Sequence, residues 1–316
     1  MASSLASQSL HQHSNEQHIV HYTKCPVCGS EQIQPVLQVQ DFTVSQQVFE
    51  VWHCKNCTFR FTQDVPDAST IGPFYQSSAY VSHSDTQEGL INRLYHLVRN
   101  YTLQAKRKLV QRAVGIRSGS LLDVGAGTGA FSAVMQQNGW QITALEPDET
   151  ARRNAKEKHG LILQSPETLY TLTNETFDAI TLWHVLEHVH DLQGYMQTFQ
   201  RVLKSKGRLL IAVPNYTSYD ASLYKAFWAA YDVPRHLYHF SPASVEQLAT
   251  QHGFSVERHL PMWFDSVYVA MLSEQYKTGK SKSNFLKALY NGILSNLKAI
   301  GQPSKCSTVI YVLKKQ

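Results

Sequence analysis

Three glycines alternate with single residues over Gly125–Gly129, directly after the apolar stretch Leu121–Val124. Such a stretch is typical of a buried parallel strand, and the apolar residues from Phe131 onward return at helical spacing. Glycine is needed where the backbone turns sharply, takes a positive φ, or must come close to a ligand. The pattern therefore predicts a strand, a ligand-binding turn and a helix, as in the nucleotide-binding crossover of a doubly wound sheet.

Carboxylates rather than cations flank this turn. Asp123 precedes it, and Glu146 follows the next apolar run, Ile142–Leu145. The sequence has no Lys or Arg between Leu121 and Gln141. A phosphate ligand would favour a nearby cation, and a dinucleotide would favour G-x-G-x-x-G over the G-x-G-x-G found here. We therefore expect a ligand that is cationic or offers hydrogen-bond donors, with Glu146 placed to hold both hydroxyls of a ribose.

The order D-V-G-A-G-T-G-A-F followed by A-L-E-P resembles that of class I S-adenosylmethionine-dependent methyltransferases. The resemblance implies S-adenosyl-L-methionine as cofactor, with Asp123–Gly129 around its methionine part and Glu146 on its ribose. The loop at Ser165 would contact the adenine, although this serine replaces the acid usual after the third strand. The cofactor-binding residues expected on this basis are Asp123, Gly125, Ala126, Gly127, Thr128, Gly129, Phe131, Glu146, Pro147, Ser165, Trp183 and His184.

Strand-like and helix-like patterns alternate along most of the chain, which predicts an α/β fold with helices on both faces of a mostly parallel sheet. A third strand is expected at Leu161–Leu163 and a fourth at Phe177–Trp183. The resemblance implies a Rossmann-like, doubly wound sheet of seven strands, with the last strand antiparallel. The basic residues of Lys106–Arg112, on a helix before the first strand, are expected to be solvated.

Four of the five cysteines form two C-x-x-C pairs, at Cys25 and Cys28 and at Cys54 and Cys57. Each pair makes a tight turn that directs two thiolates at one ion, and two pairs complete a tetrahedral zinc site with no open position. The sequence therefore predicts a small zinc ribbon with a structural ion. A redox C-x-x-C is the weaker alternative, because it needs only one pair.

The stretch His184-Val-Leu-Glu187-His188 follows the fourth predicted strand. Ubiquinone-type O-methyltransferases are similar here, with Glu in place of His184, and the resemblance implies that these positions could hold a divalent cation. The alternative is a structural role, in which Glu187 and His188 cap and orient the next helix, and we prefer this role for these two residues. The letters also match the H-x-x-E-H motif of certain zinc metalloproteases, which would require a helix.

Phe227–Phe240 combines aromatic and polar side chains, and Pro234 and Pro242 argue against a long helix there. An insert after the fifth strand lies near the ligand-binding edge, so we interpret it as a substrate lid. Similar stretches occur in zinc-ribbon methyltransferases. Asp232 and Arg235 are expected to pair with each other, while His236 is the better candidate for contact with the acceptor. Because histidine can accept a proton near neutral pH, His184 and His236 are the predicted catalytic residues.

The 316 residues divide into four expected parts. These are a disordered tail at 1–19, a zinc ribbon at 20–64, a linker with a helical segment at 65–118, and a methyltransferase domain at 119–316 with a lid insert at 214–240. Tyr75 and Tyr80 of the linker could pack on the main domain or cover a substrate pocket. The start lacks the apolar core of a secretory signal, so the expected location is the cytoplasm.

The predicted function is methyl transfer to a small-molecule or sugar-type acceptor. The net charge of +5 is too weak to indicate nucleic acid, and the chain has no apolar run of membrane-spanning length. We therefore expect no membrane partner and no nucleic acid. The main alternative keeps the fold but makes RNA or protein the acceptor, with the ribbon as docking module. A nicotinamide oxidoreductase and the H-x-x-E-H protease are the other classes considered.

Overall fold

The computed structural model describes residues 18–76, 90–279 and 285–316. The tail predicted at 1–19 and the linker predicted at 65–118, with Tyr80, therefore lie partly outside the described residues. The first described part is a small antiparallel unit in which two hairpin-forming strands carry the cysteine turns at their ends. Its strands are β1 (Ile19–Val20), β2 (Ile33–Gln40), β3 (Val48–Cys54), β4 (Arg60–Thr62) and β5 (Val65–Pro66).

A long helix and four parallel strands follow. The strands pair in the order β7, β6, β8, β9, with Leu121 opposite Ala179 and Ile180 opposite Leu209. The central residues of β6, β8 and β9 are fully buried, as continuous apolar runs in a parallel sheet require. The elements are α1 (Leu90–Val114), β6 (Ser120–Val124), α2 (Ala130–Gln137), β7 (Gln141–Leu145), α3 (Glu149–His159), β8 (Phe177–Trp183), α4 (Leu192–Val202) and β9 (Leu203–Pro214).

The C-terminal part completes the sheet and adds a helical hairpin. The last strand lies antiparallel between β9 and β11, with Val309 opposite Val213, so the predicted antiparallel insertion is confirmed. The elements are α5 (Tyr219–Tyr224), β10 (Tyr238–His239), α6 (Pro242–Gln251), β11 (Phe254–Pro261), α7 (Trp263–Thr278), α8 (Phe285–Ala299) and β12 (Thr308–Lys315). No helix of the described residues is both long and apolar enough to cross a bilayer.

The central sheet has six strands among the described residues, not the seven expected. Leu161–Leu163 forms no ladder, and only Gln164 bridges Leu145. Gly160 ends α3 with a φ of 67°, and Pro166 starts a 3₁₀ turn soon after, so the chain between them is short. Pro166 also lacks the amide hydrogen that a ladder would need. The α/β, Rossmann-like architecture itself is confirmed.

The segment expected to be a lid is joined to the ribbon. β10 pairs with β4, with Tyr238 opposite Phe61, and extends the ribbon sheet to four strands. The rings of Phe59 and Phe240 meet at 5.3 Å, and both side chains are fully buried. One apolar core therefore runs from the ribbon through the insert into the central domain.

Candidate active site

Three strand ends meet at one edge of the central sheet. β6, β7 and β8 are parallel neighbours, so the residues that follow them lie side by side. The turn Gly125–Gly129 follows β6, Glu146 follows β7, and Trp183 ends β8. Open α/β sheets bind their ligands at this edge. The fold therefore brings together the cofactor-binding residues that the sequence predicts.

Glycine is required for different reasons at two positions of the turn. Gly125 has a φ of 68°, and a Cβ there would lie 2.4 Å from Cγ2 of Val185, so only glycine fits. Gly127 has a φ of 55°, yet a Cβ there would meet nothing within 4 Å. Its backbone is open to the space above the sheet edge. A ligand could approach the main chain closely at this point, which is what a cofactor cradle requires.

Glu146 faces the same turn. Its carboxylate accepts hydrogen bonds from the amides of Gly127 at 2.7 Å and Asp148 at 3.0 Å. Burial raises the pKa of Glu146, while these two amides and Arg152 oppose that effect. A carboxylate can accept about four hydrogen bonds, so capacity remains for two ligand hydroxyls. The residue fits the predicted ribose contact.

Asp123 lies beneath the turn rather than in the open space. Its carboxylate is 1% exposed and accepts hydrogen bonds from the hydroxyls of Ser132 at 2.6 Å and Thr181 at 2.8 Å. Burial raises the pKa of Asp123 to about 6, although the two hydroxyls favour its charged form. Asp123 therefore braces β6 against α2 and β8. In this structure it supports the turn from below.

The remaining predicted cofactor residues surround this edge. Ala126 and Thr128 are half-buried within the turn, and Pro147 is exposed beside Glu146. Ser165 is brought to the edge because Gln164 bridges the end of β7. Glu146 donates its amide hydrogen to the carbonyl of Gln164 at 2.9 Å.

Trp183 presents a cation-binding face. The ring of Phe131 meets it edge-on at 5.6 Å, and Nζ of Lys106 lies 4.4 Å from its centroid. The sequence predicted a solvated Lys106, but the structure turns it inward, where burial lowers the pKa of its ammonium. The face of tryptophan attracts cations. The position of Lys106 shows that the face of Trp183 can accommodate a cation, so binding of a sulfonium there would also be favourable.

His184 is held between two carboxylates. Its backbone has a φ of 59°, its Nε2 lies 2.8 Å from Asp265, and its Nδ1 lies 3.3 Å from Glu187. Burial alone would lower the pKa of His184, but the two carboxylates outweigh it and raise the pKa to about 10. The two carboxylates therefore favour the protonated form of His184, in which neither ring nitrogen has a lone pair to accept a proton. Asp265 lies in the first turn of α7, and no motif in the sequence indicated it.

His236 joins a second group around the same carboxylate. One ligand atom each from Glu187, His188 and His236 lies within 4.8 Å of the others, so these residues could hold a metal ion. Glu187 is fully buried, and neither of its carboxylate oxygens has a hydrogen-bond partner among the described residues. Burial and the nearby His236 lower the pKa of His188 to about 4. The two predicted catalytic histidines thus share Glu187 as a neighbour.

The tautomer of His236 follows from its surroundings. Nδ1 lies 2.8 Å from the carbonyl oxygen of Ala230, which can only accept, so Nδ1 carries the proton in the neutral ring. Nε2 then has a free lone pair. His236 is 8% exposed, and its ring meets that of His188 edge-on at 4.6 Å. This geometry leaves His236 able to accept a proton.

The H-x-x-E-H letters do not form the helix that a metalloprotease needs. Residues Leu186–His188 form a single 3₁₀ turn, and the left-handed backbone at His184 directs that ring elsewhere. His184 is absent from the described group that could bind a metal.

Arg235 ties the insert to the ribbon. Its guanidinium is fully buried and donates to Asp232 at 3.0 Å, to Asp41 of the ribbon at 3.0 Å, and to the carbonyl of Phe74 at 2.8 Å. The predicted pairing of Asp232 with Arg235 is present. Asp41, the partner in the ribbon, was missed because nothing in the sequence links it to residue 235.

The four cysteine sulfurs converge on one point. Cys25 and Cys57 are 3.6 Å apart at Sγ, and Cys28 and Cys54 are 3.5 Å apart, far beyond a disulfide bond. A tetrahedron with zinc–sulfur bonds of about 2.3 Å has edges of about 3.8 Å. The sulfurs therefore fit a tetrahedral zinc ion, with all four within 4.8 Å of one another.

A profile of the methyltransferase-domain family matches residues 97–259, just over half of the chain. The chain belongs to this methyltransferase family. The prediction of a class I S-adenosylmethionine-dependent methyltransferase is thereby confirmed at the level of the family. The matched residues include the whole edge formed by the glycine turn, Glu146 and Trp183. They exclude the cysteine sites and the hairpin of α7 and α8.

Similar methyltransferases include proteins named for quinone biosynthesis. Ubiquinone biosynthesis O-methyltransferase of Histophilus somni is 35% identical over 122 residues, which cover 34% of this chain and 50% of that protein. Demethylmenaquinone methyltransferase of Tropheryma whipplei is 26% identical over 176 residues, which cover 54% and 70%. The chain thus spans only half the length of the first of these relatives.

The fold is also similar to that of a solved methyltransferase. The structure of magnesium protoporphyrin IX methyltransferase from Synechocystis PCC 6803 with bound SAH matches with a TM-score of 0.51 and 13% identity. The match covers 79% of this chain and all of that one. At this identity the likeness shows the fold alone.

Proposed function

We propose that this methyltransferase binds S-adenosylmethionine at the β6–β7–β8 edge and methylates a small-molecule acceptor. The observation that supports this most is the open backbone of Gly127, hydrogen-bonded to Glu146. The names of the quinone-biosynthesis relatives support a small molecule rather than a macromolecule as acceptor. Docking of RNA on the ribbon would use the cations of the ribbon. Arg60 of the ribbon instead donates to Tyr231 and stacks on Tyr216, so its charge is engaged within the protein.

The cofactor would supply an electrophilic methyl carbon on a sulfonium. The side chains at the edge have distinct tasks toward it. Glu146 binds the ribose hydroxyls, the Gly125–Gly129 backbone lies against the methionine part, and Trp183 offers its face to the positive charge. Lys106 must leave that face when a second cation occupies it, because like charges repel.

The two predicted histidines take different roles in this proposal. His184, protonated between Asp265 and Glu187, positions the acceptor side of the edge and donates hydrogen bonds. His236 accepts the acceptor's proton at Nε2, since Nδ1 is already protonated. Because Glu187 stays ionised beside it, the imidazolium that forms is stabilised. Proton removal then accompanies transfer of the methyl group to the acceptor atom.

The ribbon has a structural task. Cys25, Cys28, Cys54 and Cys57 would hold one zinc ion, which closes the ends of β2 and β3 into a rigid unit. The proposed division of the chain remains the one expected from sequence, with the ribbon at 20–64 and the catalytic domain at 119–316. The insert at 214–240 would carry His236 to the acceptor.

Cofactor binding is tested by calorimetry with S-adenosylhomocysteine and the zinc-loaded full chain. Glu146→Gln should weaken binding roughly 10- to 100-fold, because a charge-assisted hydrogen bond contributes about 1.5–3 kcal/mol. Glu149→Gln, three residues along and exposed at the start of α3, is the matched control and should bind as the wild type does. Equal affinity of the Glu146→Gln variant and the wild type would exclude the proposed ribose contact.

The base is tested by transfer of a labelled methyl group to an acceptor found by screening small molecules. His236→Gln should bind the cofactor normally but lose roughly 100-fold or more of its turnover, the usual contribution of general base catalysis. His239→Gln controls for loss of a buried histidine in the same insert, since His239 contacts Thr62 of the ribbon at 3.0 Å. Turnover that is unchanged in the His236 variant would remove this residue from the mechanism.

A further inference from the structure

The hairpin formed by α7 and α8 is apolar on its outer side and polar on its inner side. Along α8 and at the residue after its end, five large residues follow one another at intervals of four and three, and each is 46–79% exposed: Leu286, Tyr290, Ile293, Leu297 and Ile300. This spacing places them on a single face of the helix. On α7, Phe264, Tyr268 and Met271 repeat the pattern, with 39–62% exposure.

The inner side of the hairpin consists of small and polar residues. Gly292 approaches α7 so closely that a Cβ there would lie 2.7 Å from Cα of Val267. Asn291 donates to Glu274 at 3.2 Å, and Ser295 donates to Asp220 at 2.8 Å. A helix in water normally shows the opposite arrangement, with its large apolar residues inside. Close packing through small residues, with large ones outside, is the arrangement that helices adopt in lipid.

Charge distinguishes between the possible occupants of this face. The described hairpin has two carboxylates, and both are directed inward: Asp265 pairs with His184, and Glu274 is 2% exposed. The exposed cations of this region are Lys277, Lys287, Lys298 and Lys305. Lys287 pairs with Glu274 at 3.2 Å, and Lys298 lies over the ring of Tyr219. A second copy of the chain would present the same cations again. An anionic lipid surface would complement them.

We propose that the α7/α8 hairpin docks this methyltransferase on an anionic lipid bilayer. The outer side chains enter the boundary between headgroups and acyl chains, while the lysines contact the headgroups. Because the first turn of α7 carries Asp265, which pairs with His184, the docked face would continue to the rim of the candidate active site. The proposal departs from the expectation of no membrane partner, which rested on the lack of a membrane-spanning run.

The test is flotation of the full chain with phosphatidylcholine vesicles that do or do not contain phosphatidylglycerol. Binding should require the anionic lipid and weaken as salt is raised. Leu286→Glu should lower the bound fraction about tenfold or more, because it removes a leucine that would be buried in the bilayer and adds a charge that the anionic headgroups repel. Ile162→Glu is the matched control, since Ile162 has the same exposure of 79% but lies after α3. It should bind as the wild type does.

Two outcomes would overturn the proposal. One is that the wild type stays in solution with anionic vesicles, or that Leu286→Glu and Ile162→Glu lower the bound fraction equally. The other is a stable dimer in sedimentation that Leu286→Glu converts to monomer, because a second copy would then cover this face. S-adenosylhomocysteine binding by the Leu286 variant shows that it is folded, and the vesicle result does not depend on methyl transfer.

Discussion

Single side chains at the β8 edge have environments that separate their chemistry. His184 and His236 are the same residue type near the same carboxylate, Glu187. His184 has a second carboxylate, Asp265, at 2.8 Å, and this keeps it protonated. His236 has a carbonyl oxygen at that distance instead, which fixes its tautomer without adding charge. In the proposed mechanism the pair therefore supplies one hydrogen-bond donor and one proton acceptor.

The first prediction at this scale concerns His184. Asp265→Asn should lower the pKa of His184 from about 10 toward its ordinary value near 6.5, which nuclear magnetic resonance of the imidazole can follow. A raised folded pKa stabilises the protein fully below pH 6.5, and this stability is lost as the pH rises through about 10. The free energy of unfolding should therefore fall over this range in the wild type, and fall less in the variant.

Glu246→Gln is the control for that experiment. Glu246 lies 3.4 Å from His259, which belongs to the edge strand β11. The substitution therefore removes a carboxylate–histidine contact without touching His184. Its pH dependence should match that of the wild type. A pKa of His184 that stays near 10 without Asp265 would mean that another group protonates it.

At the scale of elements, the turn between β6 and α2 combines a tight fit with an open surface. Gly125 packs against Val185, the residue that follows His184, and so couples the glycine turn to the end of β8. Gly127 faces the open side. The two glycines are only two residues apart, yet Gly125 maintains the fold while Gly127 is the position proposed to admit the ligand.

Alanine substitutions should separate these two tasks. Gly125→Ala should destabilise the protein by roughly 3 kcal/mol, the combined effect of left-handed strain and a clash with Val185. Val185→Ala should restore part of that loss, since it removes the clashing methyls. Gly127→Ala should cost only about 1 kcal/mol in urea unfolding but weaken S-adenosylhomocysteine binding. Similar losses of stability at both positions would contradict this assignment.

At the scale of the whole molecule, the ribbon, the insert and the catalytic edge form one connected structure. β10 of the insert pairs with β4 of the ribbon, and Arg235 bridges Asp232 to Asp41. His236 lies directly between these two attachments. The cysteine sites are therefore connected to the proposed base through paired strands and a buried ion pair.

Removal of the proposed zinc should loosen the insert as well as the ribbon. In hydrogen exchange, chelation or Cys28→Ser should reduce protection of Tyr238 and His239 by roughly tenfold or more, because β4 is their partner strand. Binding of S-adenosylhomocysteine should persist, since the glycine turn and Glu146 follow β6 and β7 of the central sheet, which is separate from the ribbon sheet. Cys306→Ser, at the lone buried cysteine outside the cluster, should leave exchange in the insert unchanged. Unchanged exchange after chelation would show that the ion does not support the insert.

Much of the site could be predicted because its residues follow strand ends in sequence. Strand periodicity located β6, β7 and β8, and parallel pairing then placed Gly125–Gly129, Glu146 and Trp183 together. The prediction of a third strand was wrong. Leu161–Leu163 satisfy the apolar pattern, but the short segment between Gly160 and Pro166 leaves no room for a ladder. The spacing of apolar residues indicates which side chains are buried, but it does not show whether the backbone pairs with a neighbouring strand.

The sequence by itself determined the fold class, the glycine turn and the convergence of four cysteines, because each depends on local spacing. Only the tertiary structure decided the state of His184, the partner of Arg235 and the outward apolar face of the hairpin. Asp265 is 81 residues from His184, and Asp41 is 194 from Arg235. Charge and burial act through space, so contacts between distant segments determine protonation and exposure, and no local pattern encodes them.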